Sequence, residues 1–251
     1  GNPDLALGNV VGSNAANIGL VLGVTLLFGS MEVTSSFYKI DWPVMMVASL
    51  LLLSFLYFDG VLSRVEGGVL VFVMIAFLWW LLKMQSGPAV VDELPSDDEL
   101  LSIPMTFLYL LAGGVGLWLG SEWLVEAAVT IAEDLGVSDR VIGLTVVSIG
   151  TSIPELAASI IAMIKKEKAI SLGNLIGSNI FNIMSVLGIT AIVSPITVKD
   201  QGFITNDLFF MTFIAFVLLP LVFAPSKMKL SWKEGFVLLS IYGAFVYKVI
   251  L

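Results

Sequence analysis

Of 251 residues, 58% are hydrophobic and 13% charged, with a mean hydropathy of +1.00, whereas a soluble chain is nearer half apolar and a quarter charged. The composition specifies an integral membrane protein. The net charge of −8 implies nothing about nucleic acid, because five of the 20 acids cluster in one loop, and the absence of cysteine and histidine excludes disulfides, Ser-His dyads and His-ligated zinc.

A membrane-spanning helix needs roughly 20 apolar residues. On that scale the chain reads as eight segments, at about 5–28, 42–58, 66–84, 103–124, 138–163, 170–193, 205–224 and 232–250, the fourth running on amphipathically to 132. The chain opens on Gly1 rather than Met and almost directly into an apolar segment, so the N-terminus is expected to have been cut away. Asp59-Gly60, Gly87-Pro88, Ser194-Pro195 and Pro225-Ser226 punctuate the intervals. Residues 85–102 hold Pro88, Pro95 and five acids, Asp92, Glu93, Asp97, Asp98 and Glu99. This stretch reads as a solvated linker, too short for a folded calcium sensor. It divides the chain into 1–84 and 103–251.

Loop charges set an orientation. Lys39, Lys83, Lys165, Lys166, Lys168, Lys227, Lys229 and Lys233 fall on one side, and Arg64, Arg140, Lys199 and Lys248 on the other. The positive-inside rule puts the first set, and the acidic loop with it, in the cytoplasm and the C-terminus outside.

Two stretches match without a gap at an offset of 165, with 11 of 17 positions identical: residues 7–23 and residues 172–188. Each carries two glycines four apart (Gly8 and Gly12; Gly173 and Gly177), then a serine and an asparagine four apart (Ser13 and Asn17; Ser178 and Asn182). Residues four apart share a helix face. Glycines at that spacing let another backbone approach, and amides at membrane depth are costly unless they bind or pair with something. Such duplicated segments point to a transporter built from repeats.

Between them lies Gly150-Thr151-Ser152-Ile153-Pro154-Glu155. A carboxylate in mid-span is rare and functional by default. Pro154 has no N–H, so the Gly150 carbonyl loses its helical partner. Free carbonyls beside Glu155, Thr151 and Ser152 make a nest of hard oxygens. Without thiolate or imidazole, that nest suits Ca²⁺, Mg²⁺ or Na⁺ and argues against Zn²⁺ or Cu⁺.

At these residues the sequence resembles the calcium/cation antiporter superfamily, most of all the prokaryotic sodium/calcium exchangers. Gly120-Ser121-Glu122-Trp123 and Val141-Ile142-Gly143-Leu144-Thr145 are similar to that family too. The resemblance covers essentially the whole chain and implies a prokaryotic inner or plasma membrane as its location. It implies an all-α fold of ten transmembrane helices in two inverted repeats, of which eight would be present here. Residues 1–84 would be a remnant first repeat, 85–102 the cytoplasmic loop and 103–251 a complete second repeat. It implies ion ligands at Thr151, Ser152, Glu155, Ser178 and Asn182, with Ser13 and Asn17 from the first repeat and backbone carbonyls near Ser148, Gly12 and Gly177. The first-repeat counterpart of Glu155 falls before Gly1, so that carboxylate is expected to be absent. Amides at both Asn17 and Asn182 disfavour a potassium requirement.

The expected function is alternating-access exchange of Na⁺ for Ca²⁺ at a midplane oxygen site. A proton/calcium or other cation antiporter is the alternative, a cation channel or a non-transporting scaffold less so. No enzyme chemistry, cofactor, nucleic acid or obligate protein partner is expected; the partners are the two ions and the lipid bilayer. Glu122 and Glu126, four apart on the 103–132 segment, are expected at an interface or ion entrance, and that segment is the natural moving part.

Overall fold

The computed structural model describes residues 3–84, 102–165, 168–198, 200–224 and 227–250. Most of the acidic loop, residues 166–167 and 225–226, and Lys199 lie outside the described residues. In lipid every backbone polar group needs a partner within the protein, so an apolar chain folds into long helices. The first run is α1 (Pro3–Ala16), a wide turn with π-type bonding (Asn17–Leu22) and α2 (Gly23–Phe28). Next come a wide turn (Phe37–Asp41) leading into α3 (Trp42–Asp59), then α4 (Arg64–Met84) and α5 (Ile103–Asp134). The broken stretch follows: α6 (Asp139–Ile142), a wide turn (Gly143–Val147), α7 (Ser148–Thr151) and α8 (Ile153–Ile164). The chain ends with α9 (Lys168–Phe181), a wide turn (Asn182–Leu187), α10 (Gly188–Val193), a wide turn (Phe203–Leu208), α11 (Phe209–Phe223) and α12 (Trp232–Ile250).

Among the described residues six helices are long and apolar enough to cross a membrane, and a seventh span is formed if α7 and α8, bent by 44°, count with the turn before them as one. The eighth expected span, 232–250, is helical as α12. Lys233, Glu234 and Lys248 at its two ends keep it from the same standard.

The duplication extends well beyond the matched motif. α9 and α10 repeat the bounds of α1 and α2 at the offset of 165 found in the sequence. α4 and α12 both begin with a capping box. Glu66 Oε2 accepts from Ser63 N and Oγ at 2.8 and 2.7 Å, and Glu234 Oε2 accepts from Ser231 N and Oγ at 2.7 and 2.6 Å. Each box satisfies end-of-helix donors that lipid could not.

The copies interlock rather than sit side by side. Strand β1 (Met31–Glu32) pairs antiparallel with β4 (Lys229–Leu230), and β2 (Val61–Leu62) with β3 (Ile196–Thr197). Each two-residue ladder therefore joins one repeat to the other. α4 packs on α10, and α12 on α2. Both crossings are made by glycine on glycine: a Cβ on Gly67 would stand 2.6 Å from Gly188 O, and one on Gly235 2.8 Å from Gly23 O. The Leu7–Phe28 run is the innermost span, whereas α5 is exposed along most of its length, with Ser121 and Ala132 buried. Phe72, Trp79, Trp118, Trp123, Phe213 and Tyr247 are among many large side chains left exposed, as a lipid-facing surface requires.

Candidate functional site

α1 and α9 meet through four asparagines. Asn14 Nδ2 donates to Asn179 O at 3.1 Å, and Asn179 Nδ2 to Asn14 O at 3.0 Å. Asn17 Nδ2 donates to Asn179 Oδ1 at 2.9 Å, and Asn182 Nδ2 to Asn14 Oδ1 at 3.0 Å. Each bond has its mirror in the other repeat, as a local two-fold axis demands. The sequence reading picked Asn17 and Asn182 and missed Asn14 and Asn179. The signal was present: 14 and 17, like 179 and 182, are three apart and share a helix face.

The broken helix docks against the Gly8–Gly12 stretch of α1. Ser148 Oγ donates to Asn9 O at 3.2 Å and also to Gly143 O. Gly12 makes the approach possible, since a Cβ there would overlap Ser148 Oγ and lie 2.8 Å from Leu144 O. Gly177, its twin, has nothing within 4 Å of the corresponding position. Thr151 Oγ1 donates to Asn9 Oδ1 at 3.0 Å and to Val147 O at 2.9 Å.

Pro154 breaks the helix as expected, with the bend at Ser152. The carbonyl it deprives is not free, however. Ser121 Oγ of α5 donates to Gly150 O at 2.7 Å. Ser121 was quoted in the sequence only as part of a motif. Nothing local signals that it replaces a bond which Pro154 removes 33 residues later in the chain.

Glu155 and Ser178 lie side by side. Glu155 Oε2, Ser152 Oγ and Asn17 Oδ1 are buried and have no hydrogen-bond partner among the described residues. Ser13 is buried as well, but its hydroxyl turns back onto its own helix, to Val10 O at 3.2 Å. Among the described residues no three His, Cys, Asp or Glu side chains cluster. At the bend the unpartnered oxygens are thus one carboxylate, one hydroxyl and one amide, a hard set suited to alkali or alkaline-earth cations; Ser159 Oγ and the Tyr242 hydroxyl are the other buried side-chain oxygens without a partner among the described residues. A cleft of about 450 Å³ lined by Trp118, Ser121, Glu122, Val125, Glu126 and Thr151 leads to the bend.

The sodium/calcium exchanger protein family model matches residues 1–83 and 105–251. The chain belongs to the sodium/calcium exchanger family. It is 37% identical to CaxA of Alkalimonas amylolytica over 256 residues, covering 98% of this chain and 79% of CaxA. It is 37% identical to the inner membrane protein YrbG of Escherichia coli over 202 residues, covering 76% of this chain and 61% of YrbG. Its fold matches the solved sodium-calcium exchanger NCX_Mj of Methanococcus jannaschii with a TM-score of 0.76 at 28% identity, covering 99% of this chain and 78% of that one. The exchanger is therefore a multi-pass membrane cation antiporter and not an enzyme.

Proposed function

We propose that this exchanger moves Ca²⁺ against Na⁺ by alternating access, at a midplane site formed where α8 and the two duplicated segments meet. The supporting observation is the set of buried, unpartnered oxygens at the bend: Glu155 Oε2, Ser152 Oγ and Asn17 Oδ1. Glu155 is the electrostatic ligand, because a carboxylate without a cationic partner at membrane depth calls for a cation. Thr151, Ser178 and Asn182, with Ser13 and carbonyls near Gly12, Ser148 and Gly177, set size and coordination number. The two repeats have opposite membrane orientation, within an eight-span arrangement that includes α12, with the central acidic loop in the cytoplasm. α5 is the moving part. It is exposed along most of its length, and Ser121 joins it to the bend. Glu122 and Glu126 line the cleft through which the ion arrives.

The test is radiolabelled Ca²⁺ uptake into proteoliposomes loaded with Na⁺. An outward Na⁺ gradient should drive uptake, and Glu155→Gln should abolish it. Uptake driven equally by a pH gradient in Na⁺-free buffer would replace Na⁺ with H⁺. Current that persists without any counter-ion would replace the antiporter with a channel.

A further inference from the structure

Nine serine and threonine side chains are buried among the described residues, and they divide sharply. Seven donate a hydrogen bond to a backbone carbonyl. Thr25, Ser49, Thr145 and Thr212 do so in the usual helical way, to the carbonyl four residues back. The remaining two, Ser152 and Ser159, have no partner. Both stand on the stretch that carries Glu155, spaced three before it and four after it. That spacing puts Ser152, Glu155 and Ser159 on one face. Ser159 is only 1% exposed, so lipid headgroups and bulk water do not reach it.

The surroundings of that face are known. α8 packs against α9, α2, α5 and the wide turn Asn17–Leu22, whose Asn17 Oδ1 also lacks a partner. One turn beyond Ser159, Met163 Sδ lies 3.3 Å from where a Cβ of Gly29 would stand, which closes the far end of the contact. Four of the five buried unpartnered oxygens among the described residues, all but the Tyr242 hydroxyl of α12, therefore stand on α8, the bend before it or the innermost span, and Ser159 extends the row about 6 Å past Glu155. A divalent cation gathers several oxygens with carboxylates among them. A position that shares one carboxylate and otherwise offers neutral oxygens suits a singly charged cation.

We propose that Ser159 is a cation ligand, marking a subsite for a singly charged hard cation one helical turn beyond Glu155 toward the Ile164 end of α8. The proposal rests on the reading of Glu155 as a cation ligand. It gives Na⁺ a position of its own on the seam, displaced from the bend.

The experiment compares the parent protein with Ser159→Ala, Ser159→Thr and Glu155→Gln in proteoliposomes, using NaCl balanced by choline chloride. Ser159→Ala should raise the Na⁺ concentration for half-maximal exchange about fivefold to tenfold, the loss of one neutral ligand. Ca²⁺–Ca²⁺ exchange in the absence of Na⁺ should keep its rate, and Ser159→Thr, which retains the hydroxyl, should restore Na⁺ dependence. The Na⁺ midpoint for thermal stabilisation in detergent should shift with the same variants. An unchanged Na⁺ midpoint in Ser159→Ala, with Glu155→Gln inactive, would overturn the Ser159 subsite and leave the Glu155 reading standing. Parallel loss of both exchange modes in Ser159→Ala would assign the residue a structural role instead. An active Glu155→Gln would remove both readings.

Discussion

Replacing Asn179 with alanine should uncouple the two innermost helices at their crossing. The substitution deletes two hydrogen bonds between amides, Asn179 Nδ2 to Asn14 O and Asn17 Nδ2 to Asn179 Oδ1, and a long contact from Asn179 Nδ2 to Met45 Sδ at 3.9 Å. It also strands the Asn17 amide, which is buried and already has an unpartnered Oδ1. Interhelical hydrogen bonds at membrane depth measure about 0.6–1.7 kcal/mol each, and a buried polar group left unsatisfied costs about 1–3 kcal/mol. The expected destabilisation is about 2–6 kcal/mol. A double-mutant cycle with Asn17→Ala isolates the pair, whose coupling should be about 0.6–1.7 kcal/mol. The two-fold arrangement adds a stricter condition: the cycle of Asn14→Ala with Asn182→Ala measures the mirror-image bond, 3.0 Å against 2.9 Å. The two couplings should agree within about 0.5 kcal/mol. The assay is reversible unfolding in mixed micelles, read by tryptophan fluorescence. Additive effects within about 0.5 kcal/mol in both cycles would show that the amides pair with nothing that matters in the folded protein, and the clasp would be an incorrect account of the crossing.

Glu155→Gln keeps the shape of the side chain and removes its charge; Ca²⁺ affinity, measured by calorimetry on the detergent-solubilised protein, should fall at least about a hundredfold. Ser121→Ala exposes Gly150 O as an unpaired acceptor, so thermal stability should drop by about 1–3 kcal/mol, with α5 more accessible to proteolysis. The neighbouring glycines of α4 should part company. A Cβ on Gly67 would meet Gly188 O at 2.6 Å and Ala191 Cβ at 2.8 Å, whereas one on Gly68 meets nothing within 4 Å. Gly67→Ala should therefore cost about 1–3 kcal/mol, while Gly68→Ala should be neutral or stabilise by about 0.5–1 kcal/mol, both read as midpoints of thermal unfolding.

The candidate site was partly legible in the chain. Pro154 next to Glu155 announced a broken span with a carboxylate in it, and the repeated Ser-x-x-x-Asn announced polar helix faces at membrane depth. The coordinates bring Ser178 to Glu155, and tie Asn17 to Asn182 through the Asn14–Asn179 pair. Ser13 has the same spacing as Ser178, yet its hydroxyl is spent on its own helix. The Gly150 carbonyl has lost its helical partner as the chemistry of proline requires, yet a serine from another helix satisfies it. In both cases the residue type was readable, but the partner depends on which helix arrives alongside.

Membrane residence, the helical class and the internal duplication were determined by the sequence alone, because apolar content, proline chemistry and a fixed offset are properties of the chain taken one stretch at a time. Tertiary structure decided how the copies interlock: Asn14 with Asn179, Gly67 with Gly188 and Gly23 with Gly235, β1 with β4. It also separated Ser159 from the seven buried hydroxyls that bond a carbonyl. Those facts depend on side-chain direction and on helices far apart in the chain lying close in space, which local pattern does not encode.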